Sequence, residues 1–260
     1  MTELSLAPPL RESAAEWLKY RRTWRGSIVI GLVNPLLFLT GIGIIGKLID
    51  SSATGPLGGV SYLTWLAPGL MAASAMQMGF GSGGFGAFRA AAPGGGYRAA
   101  SATPMSPTDI LLGSLLFVTF RLSLLSAGFL LVQALLGAAP TWWSVLTVPA
   151  AALTGLAFAA PMAAWGIATK RFSTMQTVFR FVVQPLYLLS GTFFPLSTVP
   201  TWLQKVAYAS PLWHGVELCR DINLGRLTFA AGAVHGGFLI AMVIAGVLCA
   251  RVTYRRKLHE

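Results

Sequence analysis

Residues 179–220 read FRFVVQPLYLLSGTFFPLSTVPTWLQKVAYASPLWHGVELCR. The stretch is apolar and aromatic, yet Pro185, Gly191, Pro195, Pro200 and Pro211 interrupt it. A continuous membrane helix avoids so many breaks, and irregular backbone at membrane depth survives only where protein or a water-filled cavity buries it. The stretch therefore predicts a spanning helix followed by a re-entrant hairpin. Transporters carry such features more than membrane anchors do.

The remainder of the chain points the same way. Of 260 residues, 55% are hydrophobic and 10% charged, whereas a soluble domain carries about 25% charged residues. This composition predicts an integral membrane protein without a sizeable soluble domain. Met1–Gly26 holds charges and prolines but no apolar core, so no cleavable signal is expected there. The net charge of +11 does not argue for nucleic acid, because the basic residues flank apolar stretches as cytoplasmic loops demand.

A spanning helix needs about 20 apolar residues. Six segments qualify: 27–49, 62–88, 110–136, 145–168, 177 to about 194, and 229–250. The expected fold is an all-α polytopic membrane protein forming one domain over residues 1–260. Residues 1–26 make a cytoplasmic amphipathic helix, 27–250 the six spans and the hairpin, and 251–260 a cytoplasmic tail. Fourteen of the 19 basic residues fall on one side of this plan, among them Arg11, Lys19, Arg21, Arg22, Arg25, Arg89, Arg98 and the Arg251–Lys257 cluster. That side is expected to be cytoplasmic, with both termini inside. High alanine, glycine and arginine use points to a GC-rich bacterial genome, hence to the bacterial cytoplasmic membrane.

Two cytoplasmic elements stand out. Leu10, Ala14, Trp17, Tyr20 and Trp24 recur at helical spacing, with Arg11, Lys19 and Arg22 off that stripe. This predicts an interfacial helix; a simple topology anchor is the plainer alternative. Further on, Pro93 and Gly94–Gly96 break the chain, and Ser106-Pro107-Thr108-Asp109 reads as a capped helix start.

Motifs for chemistry are weak. Gly79, Gly81 and Gly84 match G-x-G-x-x-G, but they lie inside an apolar span with no acidic residue about 20 positions on. Close helix packing explains Gly79 and Gly83 better. No phosphate loop exists. Ser210 and His214 lack the nucleophile elbow of a hydrolase, and satisfying the hairpin's backbone is the simpler role for them. His214, His235 and His259 have no metal-ligand spacing, and no catalytic residue or metal site is assigned. Cys219 and Cys249 fall on opposite faces and cannot pair within one chain. Glu217 and Arg220, three apart, are placed to pair. Arg121 lies about halfway along the third span; it is either a functional residue or a side chain snorkelling towards the cytoplasm.

Two motifs together resemble a known family. Ser190–Pro195 with Pro200 and the run Pro211–Arg220 (PLWHGVELCR) looks like the signature of type-2 ABC export permeases, in the branch of nodulation-factor and daunorubicin-type drug exporters. Ala102–Gly113 looks like the family's loop before its third span. The resemblance covers almost the whole chain and implies a permease that dimerises, with itself or with a second permease, and binds two copies of a separate phosphate-loop ATPase. By the resemblance, Trp17, Tyr20 and Arg21 of the N-terminal helix and Thr103, Pro104, Ser106, Pro107 and Asp109 of the loop contact that ATPase. Arg121, Gly191, Phe193, Phe194, Pro195, Trp202, Pro211, His214, Glu217 and Arg220 map to the substrate pathway or the re-entrant hairpin. The sequence departs from the family at Ser114, where many relatives have an acidic residue, and in the glycine-rich Gly94–Gly96.

The reading is a non-enzymatic permease subunit with no cofactor of its own, ATP and magnesium belonging to the partner. Membrane lipids surround it, and its substrate is amphipathic: a drug, a lipid or a lipid-linked saccharide. Trp202, Tyr208 and Trp213 are expected at the outer interface. The alternative is a self-sufficient secondary transporter or channel, which needs carboxylates inside the spans; all eight acidic residues fall in loops, termini or span ends on this plan.

Overall fold

The computed structural model describes residues 8–50 and 59–258; the first seven residues of the expected amphipathic segment and the last two of the expected tail lie outside these. The described residues are mostly helical and contain no strand. The helices are α1 (Pro8–Asp50), α2 (Tyr62–Phe80), α3 (Ala87–Ala91), α4 (Gly96–Ser101), α5 (Pro107–Leu135), α6 (Thr147–Ala168), α7 (Phe172–Val178), α8 (Gln184–Leu189), α9 (Thr201–Tyr208), α10 (Pro211–Asn223) and α11 (Phe229–Leu258).

Among the described residues, three helical stretches are long and apolar enough to cross a membrane: Pro107–Leu135, Trp142–Ala168 and Phe229–Leu258. α2 is missing from that set for a physical reason. It is the central helix, with Leu66, Ala67, Ala72, Ala73, Ala75 and Met76 fully enclosed. A helix shielded from lipid on most sides does not need an apolar face all round, and α2 carries Ser74 and Gln77 in its interior.

Two departures from the expected plan concern continuity. The amphipathic segment and the first span form one helix, α1, with Pro35 inside it. The fifth span runs from Phe172 to Leu189 in three pieces, α7 and α8 flanking a π-helical stretch Phe179–Val183. It ends before the expected Phe194, because Gly191 takes a left-handed conformation (φ 75°) just past the helix end. A second π-helical stretch, Gly81–Gly86, joins α2 to α3. Phe80 and Phe85 face Phe179 at ring-centroid distances of 5.4 and 6.3 Å, so the two π segments meet.

Contacts define two ends of the bundle. At one end the start of α1 meets α5 through Ser13 Oγ, which donates to the Gly113 carbonyl at 2.8 Å. There α4 also meets the end of α11 through Tyr254 and Tyr97, whose hydroxyls are 3.1 Å apart. At the other end lie the start of α2, the 136–141 loop and α10, joined by Asn223 Nδ2, which donates to the Ala138 carbonyl at 3.0 Å. Arg11, Lys19, Arg21, Arg22, Arg25, Arg89, Arg251, Arg255, Arg256 and Lys257 all belong to the first end.

The core between these ends depends on small residues. A Cβ placed on Gly79 would overlap the Gly155 carbonyl, and one on Gly83 would overlap that of Ala159. α2 and α6 therefore touch backbone to backbone, as small residues allow in membranes. Gly81 differs, since a Cβ there would meet nothing within 4 Å. Gly83→Ala should destabilise the purified protein by the roughly 1–3 kcal/mol of overpacking, and Gly81→Ala by less than about 0.5 kcal/mol. Thermal unfolding in detergent checks both; equal melting temperatures would show that the α2–α6 contact yields without cost.

Candidate functional site

Within the broken segment 179–220, one side chain ties three elements together. Arg220, buried on α10, donates from Nε to the Trp65 carbonyl (3.2 Å) and from a terminal nitrogen to the Gly191 carbonyl (2.9 Å). Its other terminal nitrogen pairs with Glu217 at 2.5 Å, and its guanidinium lies 3.8 Å from the Trp65 ring centroid. One planar fork thus ties α10 to the start of α2 and to the turn after α8. Gly69 leaves room for it: a Cβ there would come within 3.3 Å of the guanidinium.

The remaining hairpin residues make contacts of their own. Phe193 packs on Tyr187 and Phe38, and its carbonyl accepts from the Tyr62 hydroxyl at 2.9 Å. Phe194 is half-buried, and Pro195 opens a short 3-10 turn, its carbonyl accepting from Thr198. Trp202 is strongly exposed on α9. Pro211 occupies the first turn of α10 behind the Ser210 cap, whose hydroxyl accepts from the Leu212 amide at 3.2 Å. Ser210 is therefore occupied as a cap, and His214 turns elsewhere: its Nδ1 is 2.9 Å from that of His235, with Phe238 stacked on its ring at 4.0 Å. Trp213 lies against both histidines and Tyr208. The two histidines are 21 residues apart, and no spacing rule joins them.

At the opposite end, Ser106 and Asp109 form a full capping box. The Ser106 hydroxyl accepts from the Asp109 amide (3.2 Å), and the Asp109 carboxylate accepts from the Ser106 amide (3.0 Å). Pro107 fills the first helical position. Thr103 and Pro104 are exposed just before it. Arg21 is exposed on α1, Trp17 is partly exposed against Phe120, and Tyr20 is buried on Phe117. Of the expected stripe, Leu10, Trp17 and Trp24 are exposed, whereas Tyr20 is buried. Glu12, off that stripe, also packs on α5: it is buried against Gly113, where a Cβ would come within 2.5 Å of Glu12 Cβ. Burial, then the neighbouring Glu16, raises the Glu12 carboxyl above its ordinary value. A glycine at 113 was the one hint of this contact in the sequence.

Two cavities complete the picture. A groove of about 1090 Å³ runs between α1, α2, α5 and the α7–α8 segment, lined by Pro35, Leu70, Leu124, Phe129, Phe179 and Tyr187 among others. A second cavity of about 720 Å³ lies towards the basic end, lined by Glu16, Lys19, Arg89, Tyr97 and Ser114 among others. Arg121 lines both. Nothing in the spacing of the lining residues announced either cavity.

The ABC-2 type transporter family matches residues 13–224, a stretch that takes in α1, the α2–α6 core, the capped loop and the Arg220 brace. The chain belongs to that family. Similar proteins include three called Nodulation protein J. That of Rhizobium leguminosarum bv. viciae is 30% identical, covering 93% of this chain and 92% of its own. That of Rhizobium meliloti (strain 1021) is 31% identical, covering 93% and 90%. That of Rhizobium leguminosarum bv. trifolii is 32% identical, covering 94% of each. No solved structure matches significantly. As an ABC-2 type permease the chain is a multi-pass transmembrane subunit; of the expected hairpin residues, Gly191 and Glu217 contact Arg220.

Arg220→Ala should cost about 3–5 kcal/mol, the range for removing one partner of a buried pair. Arg220→Lys should recover only part of this, since an ammonium cannot serve two carbonyls, a carboxylate and a ring at once. Detergent-solubilised melting temperatures of the two variants check the order; an Arg220→Ala protein as stable as the parent would remove the brace from the account.

Proposed function

We propose that this chain is the permease of an ATP-driven exporter that moves an amphipathic substrate across the bacterial cytoplasmic membrane. The observation that carries this is the large groove beside α1, apolar and only half enclosed by a single chain. A second copy set against the exposed Leu37, Phe38, Phe181 and Leu188 would close it. Family membership supports the same reading; on it, ATP hydrolysis and its magnesium belong to two partner ATPase subunits, in keeping with the lack of a phosphate-loop motif in this sequence.

On this reading six spans are made by α1, α2 with α3, α5, the Trp142–Ala168 stretch, α7 with α8, and α11. α10 has 13 residues, about 20 Å, too short for a 30 Å core. Its first half reaches inward to Thr154 and His235, and its last residues return to Thr64 and Thr141, as a re-entrant helix would. The basic end is cytoplasmic and holds both termini. Docking of the ATPases there, on Trp17, Tyr20 and Arg21 and on the segment Thr103–Asp109, moves α1 and α5 together, because Ser13 and Glu12 bind the α1 start to the α5 start. The nucleotide acts on the permease only through the difference between contacts in its two states. A coupling-ion carrier needs a free intramembrane carboxylate, and Glu217 is engaged by Arg220.

The test is purification in mild detergent. A phosphate-loop ATPase should accompany the chain, and the chain alone should bind no nucleotide. Saturable ATP binding by the isolated chain would overturn the two-subunit reading.

Coupling can be probed separately. Pro107→Gly with Asp109→Ala removes the capping box, worth about 0.5–2 kcal/mol. Substrate-stimulated ATPase activity of the reconstituted complex should fall while expression and dimerisation persist. Unchanged stimulation would place the ATPase contact elsewhere on the chain.

A further inference from the structure

Among the described residues, two arginines in the bundle are more than surface side chains, Arg121 and Arg220, whereas Arg180 of the fifth span is exposed; the buried nitrogens of Arg121 and Arg220 are served differently. Arg220 has a carboxylate, two carbonyls and an indole ring. Arg121 has a buried Nε with no hydrogen-bond partner. Lys19 pairs with Glu16 and Arg220 with Glu217, and neither pair includes Arg121. Its guanidinium carbon lies 5.7 Å from the Tyr20 ring, and Glu16 is near enough to act on its charge. An unpaired charge taken out of water costs several kcal/mol. Fourteen residues into α5, about 21 Å along the helix, Arg121 lies level with Tyr20 of α1, beyond the Ser13–Gly113 contact.

Its position relates this vacant cation to the cavities. The 1090 Å³ groove and the 720 Å³ cavity share four wall residues: Met78, Gly81, Phe85 and Arg121. On the groove side most walls are apolar, with Ser74, Gln77 and two tyrosines among them, and Leu131 at the rim, away from the residues set against the second copy, is exposed, so a hydrocarbon tail has a lateral way in. On the cavity side the walls carry Lys19, Arg89 and Arg121 against a single carboxylate, Glu16, which Lys19 already neutralises. Gly81 stands at the junction with free space where a side chain would be, unlike Gly79 and Gly83, which the α2–α6 contact requires.

We propose that groove and cavity form one binding site for a membrane-borne amphiphile with an anionic head, and that Arg121 binds that head. The tail occupies the groove. The head, a phosphate, sulfate or carboxylate, meets the planar guanidinium fork that suits such oxyanions, with Lys19 and Arg89 supplying the field that draws it inward. This rests on the exporter reading and narrows its substrate class.

The test needs neither ATPase nor transport, so its failure leaves the exporter reading intact. The purified full chain is placed in phosphatidylcholine nanodiscs. Binding of fluorescently labelled lysophosphatidic acid is compared with that of the labelled monoacylglycerol bearing the same tail. The expected result is at least tenfold tighter binding of the anionic probe. Arg121→Gln should abolish that preference while leaving the affinity for the neutral probe within about twofold, and Arg121→Lys should retain part of it. Gly81→Leu, which fills the junction, should weaken the anionic probe more than the neutral one. Inorganic phosphate at millimolar concentration should compete poorly, because it has no tail. Equal affinities for the two probes in the parent protein would overturn the proposal whether or not any variant folds. A preference surviving Arg121→Gln would remove Arg121 from the site, and full competition by free phosphate would reduce it to an anion site without the groove.

Discussion

A chain that breaks its helices within an apolar layer frees backbone carbonyls that water cannot reach. Every such group must be given a donor from the protein itself. Here the breaks come after α8 and before α10, and the donor is Arg220. It reaches the Gly191 carbonyl where the chain turns and the Trp65 carbonyl where α2 begins. Glu217 balances its charge from one helical turn away, and the Trp65 ring covers its face. α10 can then be short and buried, with its other side on α6, where a Cβ on Gly215 would overlap the Thr154 side chain. Without the brace the proline-rich segment has no reason to prefer this arrangement over a frayed loop.

The other end of the bundle has a different logic. There the helices are held by interhelical polar contacts: Ser13 to the Gly113 carbonyl, and Tyr254 to Tyr97. Small residues permit these approaches, as Gly113 does for Glu12 and Pro9. α1 runs as one helix from this end into the bundle, and α5 is fastened to it at the start. The two π-helical stretches sit between the ends and face each other through Phe80, Phe85 and Phe179. Such stretches pack with less regular backbone hydrogen bonding than an α-helix and cluster at functional positions. They line the groove that separates α2 from the fifth helical segment.

What could be read in the sequence was whatever local spacing encodes. Ser106-Pro107-Thr108-Asp109 announces a helix start, and the structure supplies the capping box down to its reciprocal hydrogen bond. Glu217 and Arg220 at i, i+3 announce an ion pair, and Gly79 with Gly83 announces a close helix contact. Long-range pairings were not legible. His214 and His235 meet only because α10 tucks against α11, and Tyr97 meets Tyr254 across 157 residues. Hydropathy also misjudged continuity. It marked a boundary near Ser27 because charge density falls there, yet helical backbone has no reason to stop at a change of polarity, and α1 continues through it. The groove is the least legible feature, being a property of four separate elements that leave space between them.

The two intramembrane arginines show how far residue type alone carries an argument. In sequence, Arg121 reads as a costly charge inside a span, and Arg220 as one member of an i, i+3 pair with Glu217. Arg220 turns out to be internal to the fold: its donors serve carbonyls and a carboxylate of its own chain, so its desolvation is offset before any ligand arrives. Arg121 has the same fork without those partners, at a junction where apolar walls give way to polar ones. A fold that can saturate one buried guanidinium so fully has the means to saturate another. Leaving Arg121 beside open space, with Gly81 opposite contributing no side chain, is a difference in surroundings rather than in chemistry, and it is the surroundings that separate a structural pin from a place for a ligand.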